Sequence, residues 1–204
     1  MSQPVLEEAV LTGERVVLRP LALDDVETAF AMLHGCEDIL KWLVWDGPDT
    51  PADLQRAYGS WVQAGGDGHD YHFAVCERES GEFAGSIGPR FQGHPGLGDV
   101  GYWLGPRFWN RGLMSEAVQL VNHLCFRHLE ARVLYAYVFV GNLGSRKVLE
   151  RTGYRLEYLA REKIKKRGKL VDEWYFTVSR DEWLGRFADW RPVSETVRLE
   201  TNSS

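Results

Sequence analysis

The sequence predicts an α/β protein with a mixed central sheet and helices on both faces. Three observations carry this: two adjacent strand-like runs, a strand–helix–strand crossover from Val100 to Val140, and a further pair of strand-like runs behind it. The crossover requires a parallel, right-handed pair, whereas the short turns on either side of it produce antiparallel ones, so the sheet is mixed.

Each element has a local reason. Arg15 to Leu21 is a first strand, Asp24 or Asp25 caps a helix to about His34, and Thr50-Pro51 starts a second helix to about Ala64. Strands run from about Tyr71 to Glu77 and from Glu82 to Phe91 around the polar turn at Ser80-Gly81. Val100, Tyr102 and Leu104 alternate with Gly101 and Trp103 at strand period until Gly105-Pro106 stops them. Leu113, Ala117, Leu120, Val121 and Leu124 then recur at helical spacing, and Val133 to Val140 (VLYAYVFV) is a β-branched and aromatic strand. A short helix follows, with Asn142 or Ser145 as its start signal and Gly153 at its left-handed end. The pattern closes with a hairpin, Leu156 to Ile164 and Leu170 to Ser179, and a short helix from Asp181.

Composition narrows the class. At 204 residues and 44% hydrophobic content the chain can bury one sizeable core, so residues 1–190 are expected to form one domain and Arg191 to Ser204 a polar, mobile tail. The longest apolar run is far short of a membrane span and MSQPVLEEAV lacks the features of a signal peptide, so a cytoplasmic location is expected. Cys36, Cys76 and Cys125 are odd in number and widely spaced, which suits reduced thiols. A formal charge of −5 argues against non-specific nucleic-acid binding. One basic run, Lys163 to Lys169 (KIKKRGK), reads as a hairpin tip: a solvated turn, or a contact for an acidic substrate or RNA.

The chemistry concentrates between Val100 and Val118. There a strand passes through a glycine-bearing turn straight into a helix, whose first N–H groups, near Asn110 to Ser115, have no partner within it. Unpaired N–H groups at a positive dipole end attract anions, and Gly112 lets a phosphate approach the backbone, so a pyrophosphate is the expected ligand. A dinucleotide reading needs G-x-G-x-x-G early in the chain with an acidic residue after the next strand, and a Walker loop needs G-x-x-x-x-G-K-[ST]; neither arrangement is present.

Together, GYWLG…WNRGLMSEA…N-x-x-S…GY resembles the GNAT superfamily of acyl-CoA-dependent N-acyltransferases, and more narrowly its ribosomal-protein alanine N-acetyltransferase branch (RimJ/RimL type). The resemblance spans Gly13 to Trp183. It implies a GNAT-type fold in which the two parallel crossover strands splay and the pantetheine arm of acetyl-CoA inserts between them. On this chain the wedge falls between Val100 to Leu104 and Val133 to Val140. Backbone groups of Tyr102, Trp103 and Leu104 would pair with pantetheine amides. Trp109, Asn110, Arg111, Gly112, Leu113, Met114 and Ser115 would surround the pyrophosphate, with Arg111 adding charge and Asn142 completing the cofactor-binding set. Many members open this loop with Gln or Arg and carry Gly or Ala two residues past the central Gly; Trp109 and Met114 depart from that pattern while leaving the backbone donors in place.

The implied reaction is direct attack of an amine on acetyl-CoA in a ternary complex, with no metal. Many members place a Tyr acid seven residues after the Asn; here that residue is Leu149. Ser145 carries the hydroxyl instead, as a hydrogen-bond donor to the departing thiolate or as a helix cap. Among Asp99, Glu162, Asp172 and Glu173, Asp99 is the expected base, and Trp42 and Trp45 are the expected walls of the acceptor site. His69, His72, His123 and His128 show no metal-ligand pattern. A protein N-terminal α-amine is the expected acceptor. A small amine such as an aminoglycoside or polyamine, another donor such as succinyl-CoA, and a non-catalytic CoA-binding module are the alternatives, and a homodimer is open to the chain.

Overall fold

The computed structural model describes residues 4–66, 70–92 and 94–200. Among them nine strands form one sheet: β1 (Leu6–Thr12), β2 (Val16–Pro20), β3 (Phe73–Glu77), β4 (Phe83–Arg90), β5 (Leu97–Leu104), β6 (Val133–Phe139), β7 (Arg155–Lys166), β8 (Lys169–Ser179) and β9 (Ser194–Leu199). Their order is β7-β8-β6-β5-β4-β3-β2-β1-β9. Every pairing is antiparallel except β5 with β6. The helices are α1 (Val26–Leu33), α2 (Glu37–Leu40), α3 (Pro51–Gly66), α4 (Leu113–Arg127), α5 (Leu143–Arg151) and α6 (Arg180–Arg186).

The period-2 alternation of the strands divides the core in two. On β3, Phe73 and Val75 face the cluster that holds the Leu113, Ala117, Leu120, Val121 and Leu124 stripe of α4, whereas Ala74 and Cys76 face Val26, Ala29 and Leu33 of α1 and Leu54 and Tyr58 of α3. Each fully buried Leu of these clusters contributes about 1.5–3 kcal/mol relative to exposure. The mixed α/β sheet with helices on both faces is therefore the observed architecture.

The parallel pair positions the site. Its register holds for Leu97↔Val133, Gly98↔Leu134 and Asp99↔Tyr135 and ends there. Beyond it β5 stays on β4 as far as Gly85↔Leu104, and β6 stays on β8 as far as Phe139↔Glu173. Val100–Leu104 and Ala136–Phe139 thus flank a wedge across which no ladder forms.

Three expectations need correction. Strand β1, ahead of the first expected strand, buries Ala9 and Leu11 completely. The expected mobile tail contributes β9, which pairs along β1 from Leu6↔Leu199 to Thr12↔Ser194 and packs Val197 and Leu199 against the core. The physical reason is that β1 would otherwise present an open sheet edge, and alternating apolar residues can cover it. Asp25 does not cap α1 forwards: its carboxylate accepts the Ala22 N–H at 3.0 Å and pairs with Arg19 at 2.5 Å. Cys36, Cys76 and Cys125 are free thiols. No helix among the described residues is long and apolar enough to cross a membrane.

Candidate active site

The wedge opens toward the start of α4. A 3-10 turn at Pro106–Phe108 leads into Asn110 (φ 59°) and Gly112 (φ 78°), both left-handed, and α4 begins immediately after. Gly112 carries no capping side chain, and its carbonyl takes the Glu116 N–H at 3.1 Å. Leu113, Met114 and Ser115 therefore lack i−4 acceptors within the helix. A Cβ on Gly112 would meet only the Arg15 Nη1, at 3.8 Å, so the approach to these amides is open.

Two cations that the sequence did not single out belong to this opening. Arg15 and Arg151 line one pocket with Gly112, Ser115, Glu116, Gln119, Thr152 and Trp190. Glu116 brings Arg15 there: its carboxylate accepts the N–H groups of Glu14 (2.9 Å), Arg15 (2.7 Å) and Val16 (2.9 Å), clamping the β1–β2 turn to α4. That contact joins residues 100 or more apart, so no local pattern could reveal it.

Other residues expected around the anion divide by direction. Leu113 and Met114 bury their side chains, leaving only backbone to offer. Arg111, expected to add charge to the anion, instead pairs with Glu77 at the end of β3. Trp109 donates its Nε1–H to the Leu104 carbonyl at 2.7 Å, so that carbonyl already has one partner. Tyr102 and Trp103 pair with β4 but lie beyond the end of the β5–β6 ladder.

At the far wall, Asn142 caps α5 by accepting the Ser145 N–H at 3.1 Å. The Ser145 hydroxyl is therefore not the cap; its Oγ lies 2.8 Å from the Tyr102 Oη. Burial holds the Tyr102 phenol well above its ordinary range, against the smaller opposing effect of Ser145, so both hydroxyls stay protonated at neutral pH. Sequence reading assigned Tyr102 for its backbone and missed this side chain, although β-alternation already placed it on the face of Val100 and Leu104. Leu149 is fully buried.

On the opposite face, Asp99 sits where β5 and β6 part, in an ion pair with Arg90. Burial pushes its carboxyl up and Arg90 pulls it back. Tyr135, Tyr137, Tyr158 and Tyr175 extend from it as a continuous aromatic surface with neighbouring centroids 4.8–6.0 Å apart. Trp42 lies against Gly141, just past β6. Trp45 packs on the α1–α3 core instead, and its carbonyl accepts from Lys166 Nζ at 2.7 Å. At the basic hairpin tip Lys163, Lys165, Arg167, Gly168 and Lys169 are exposed, as a solvated turn requires, but two of its cations are tied down. Lys166, only 7% exposed, reaches Asp46 at 2.5 Å, and Arg167 binds Asp46 (3.0 Å) and Glu37 (2.8 and 2.9 Å). These bonds strap the β7–β8 hairpin to the loop that carries both tryptophans.

The histidines lie apart from the wedge. His72 stacks on Trp61, and burial lowers it to about 4. His123 and His128 share one Glu195 oxygen, at 2.9 and 3.2 Å, on the β9 side. His69 lies outside the described residues.

Comparison with known proteins agrees with this layout. Residues 15–155 match the family model described as an acetyltransferase (GNAT) domain. "Uncharacterized N-acetyltransferase p20" of Bacillus licheniformis is 30% identical over 188 residues, covering 86% of this chain and 98% of its own. The structure of the RimL ribosomal L7/L12 α-N-protein acetyltransferase with coenzyme A superposes with a TM-score of 0.77 at 18% identity, over 84% of this chain and 98% of that one. Spermidine N-acetyltransferase from Vibrio cholerae, with CoA and spermine, gives 0.73 at 15%, over 83% and 98%. At such identities the two structures establish the fold alone. With a family model covering most of the chain and the splayed strand pair its fold requires, this protein belongs to the GNAT family and is an acyl-CoA-dependent N-acetyltransferase.

Proposed function

We propose that the chain acetylates protein N-terminal α-amines by direct attack in a ternary complex, as in the RimJ/RimL branch. The observation that carries the reading is the meeting of three features at one wedge: unladdered strand edges, an uncapped helix start, and the Ser145–Tyr102 hydroxyl pair.

The donor set fits acetyl-CoA. Open N–H groups at Leu113 to Ser115, with Arg15 and Arg151 beside them, suit an anionic end, and the facing edges of β5 and β6 suit an arm that carries amides. Acetyl-CoA supplies an activated thioester carbonyl. Ser145, backed by Tyr102, offers a hydrogen bond to a developing thiolate, whose parent thiol is acidic enough for it to leave without a full proton from serine. The amine forms the C–N bond, the C–S bond breaks, and the amine proton leaves on the opposite face.

An α-amine asks little of a base. Its pKa near 7.7–8.0 leaves a useful neutral fraction at pH 7, whereas a lysine near 10.4 leaves about one part in a few thousand. The aromatic surface with nearby carboxylates favours a second reading, a small polycationic amine. Thiol release from acetyl-CoA separates them. Unblocked N-terminal peptides should outperform spermidine and N-blocked internal-lysine peptides. A preference for spermidine establishes the second reading, and acetylation of the internal lysine without the free N-terminus overturns the first.

A further inference from the structure

We infer that Glu173, not Asp99, is the catalytic residue that accepts the proton of the incoming amine; this rests on the acetyl-transfer reading of the wedge. Four carboxylates are candidates for the base, and the structure separates them. Asp99 is held by Arg90. Asp172 accepts the Glu162 N–H at 2.8 Å and so stabilises a bulge in β7. Glu162 lies exposed on that bulge, in a left-handed conformation (φ 48°). Glu173 alone of the four is almost fully buried, at 3% exposure, and among the described residues no hydrogen bond or ion pair reaches its carboxylate, whose oxygens are not sealed from the surface. An ionisable group left that way costs stability, and such costs collect at functional sites.

Register gives it a position relative to the leaving group. Continuing the parallel alignment Asp99↔Tyr135 by three residues brings Tyr102 level with Val138, one residue from Phe139, the partner of Glu173. Asp99 lies three residues deeper, about 10 Å along the strand. Alternation also places Tyr102 and Glu173 on opposite faces of the sheet, so an amine beside Glu173 approaches from the side away from the Ser145–Tyr102 pair. Attack on a thioester carbonyl comes from above its plane, and an amine arriving from this side leaves the Ser145–Tyr102 pair free for the departing sulfur.

The surroundings suit an ammonium group. Tyr137 and Tyr175 flank Glu173 on its face of the sheet, and Lys163 Nζ already stands 5.4 Å from the Tyr137 ring centroid, so this surface accommodates a cation. The charged groups bearing on Glu173 are Lys163, which lowers its carboxyl, and Asp99, which raises it; burial is the largest influence and the net direction is up. A carboxyl raised in this way is a better proton acceptor than a free one.

The test compares Glu173→Gln, Glu173→Asp and, as a control on the same hairpin, Glu162→Gln, by thiol release and by acetyl-CoA titration. Glu173→Gln should lower kcat/KM by about a hundredfold or more without weakening acetyl-CoA binding, and Glu173→Asp should recover part of the loss. In acid, log kcat/KM should fall with a slope of about two in the parent, one proton each for amine and Glu173, and about one in Glu173→Gln. Because its folded-state carboxyl is raised, Glu173 weakens the fold as pH rises through that value, so Glu173→Gln should raise the neutral Tm. Near-parental rates with the second proton retained overturn the assignment, as does a loss of rate accompanied by an equal fall in Tm and no rescue by Asp. A parent chain that binds acetyl-CoA but releases no thiol with any amine overturns the acetyl-transfer reading itself.

Discussion

Two helices begin at the wedge, and they begin differently. At α5 the Asn142 side chain takes the Ser145 N–H, so the helix start is internally satisfied and the Ser145 hydroxyl is released to meet Tyr102. At α4 the corresponding position is Gly112, which offers no acceptor, while Arg15 and Arg151 gather beside the open amides. A capped start holds a side chain in place; an uncapped one, with cations around it, keeps its dipole for a ligand. The distinction assigns chemistry to α5 and binding to α4, and each variant below tests one side of it.

The largest effect should come from Ser145→Ala. Loss of a hydrogen bond made mainly in the transition state should lower kcat by roughly ten- to a thousandfold with acetyl-CoA affinity nearly unchanged. Unaltered turnover would leave α5 a purely structural element. Gly112→Val comes next. A β-branched residue resists the positive φ and projects into the space before the α4 amides, so acetyl-CoA affinity, read by calorimetry, should fall by about tenfold or more with the fold retained. Equal affinity would remove this turn from the binding site.

Asn142→Ala should be milder. Removing the cap should cost about 1 kcal/mol of stability, seen as a lower Tm, and should lower kcat more than it changes acetyl-CoA affinity, since Ser145 loses its anchor. A fall in affinity larger than the fall in kcat would reverse the division between the two helices. The smallest effect lies away from the wedge. Burial lowers His123 against the pull of Glu195, so its contribution to stability is present above the ordinary imidazole value of about 6.5 and is lost as pH falls below it. Protection of the β9 amides, taken relative to their intrinsic exchange rates at each pH, should therefore fall between neutral pH and mild acid, and His123→Gln should flatten that dependence.

Much of this was legible locally. The helical stripe of α4, the apolar run of β6, the Gly112 turn and the Asn142 start signal are short-range patterns, because helix and strand periods and capping need only near neighbours. Even the departure of Leu149 from the family tyrosine directed attention to Ser145. Arg15 escaped because a carboxylate on α4 holds it, and Arg111 misled because its partner, Glu77, is on another strand. The basic hairpin read as a solvated turn or a contact for an acidic substrate or RNA, and the sequence could not show that Asp46 and Glu37, more than a hundred residues earlier, hold Lys166 and Arg167.

The sequence by itself determined the order of the main elements between β2 and α6, the crossover and hence the family, since periodicity, turn residues and the spacing from Gly112 to Ser145 are written along the chain. Tertiary structure alone decided which charges remain free, where β5 leaves β6, and that the tail closes the β1 edge. The physical reason is that an ion pair, a register end and an open sheet edge each depend on a partner distant in sequence. Asp99 and Glu173 are both ordinary carboxylates in one dimension, and only packing gave the first an arginine and left the second without one.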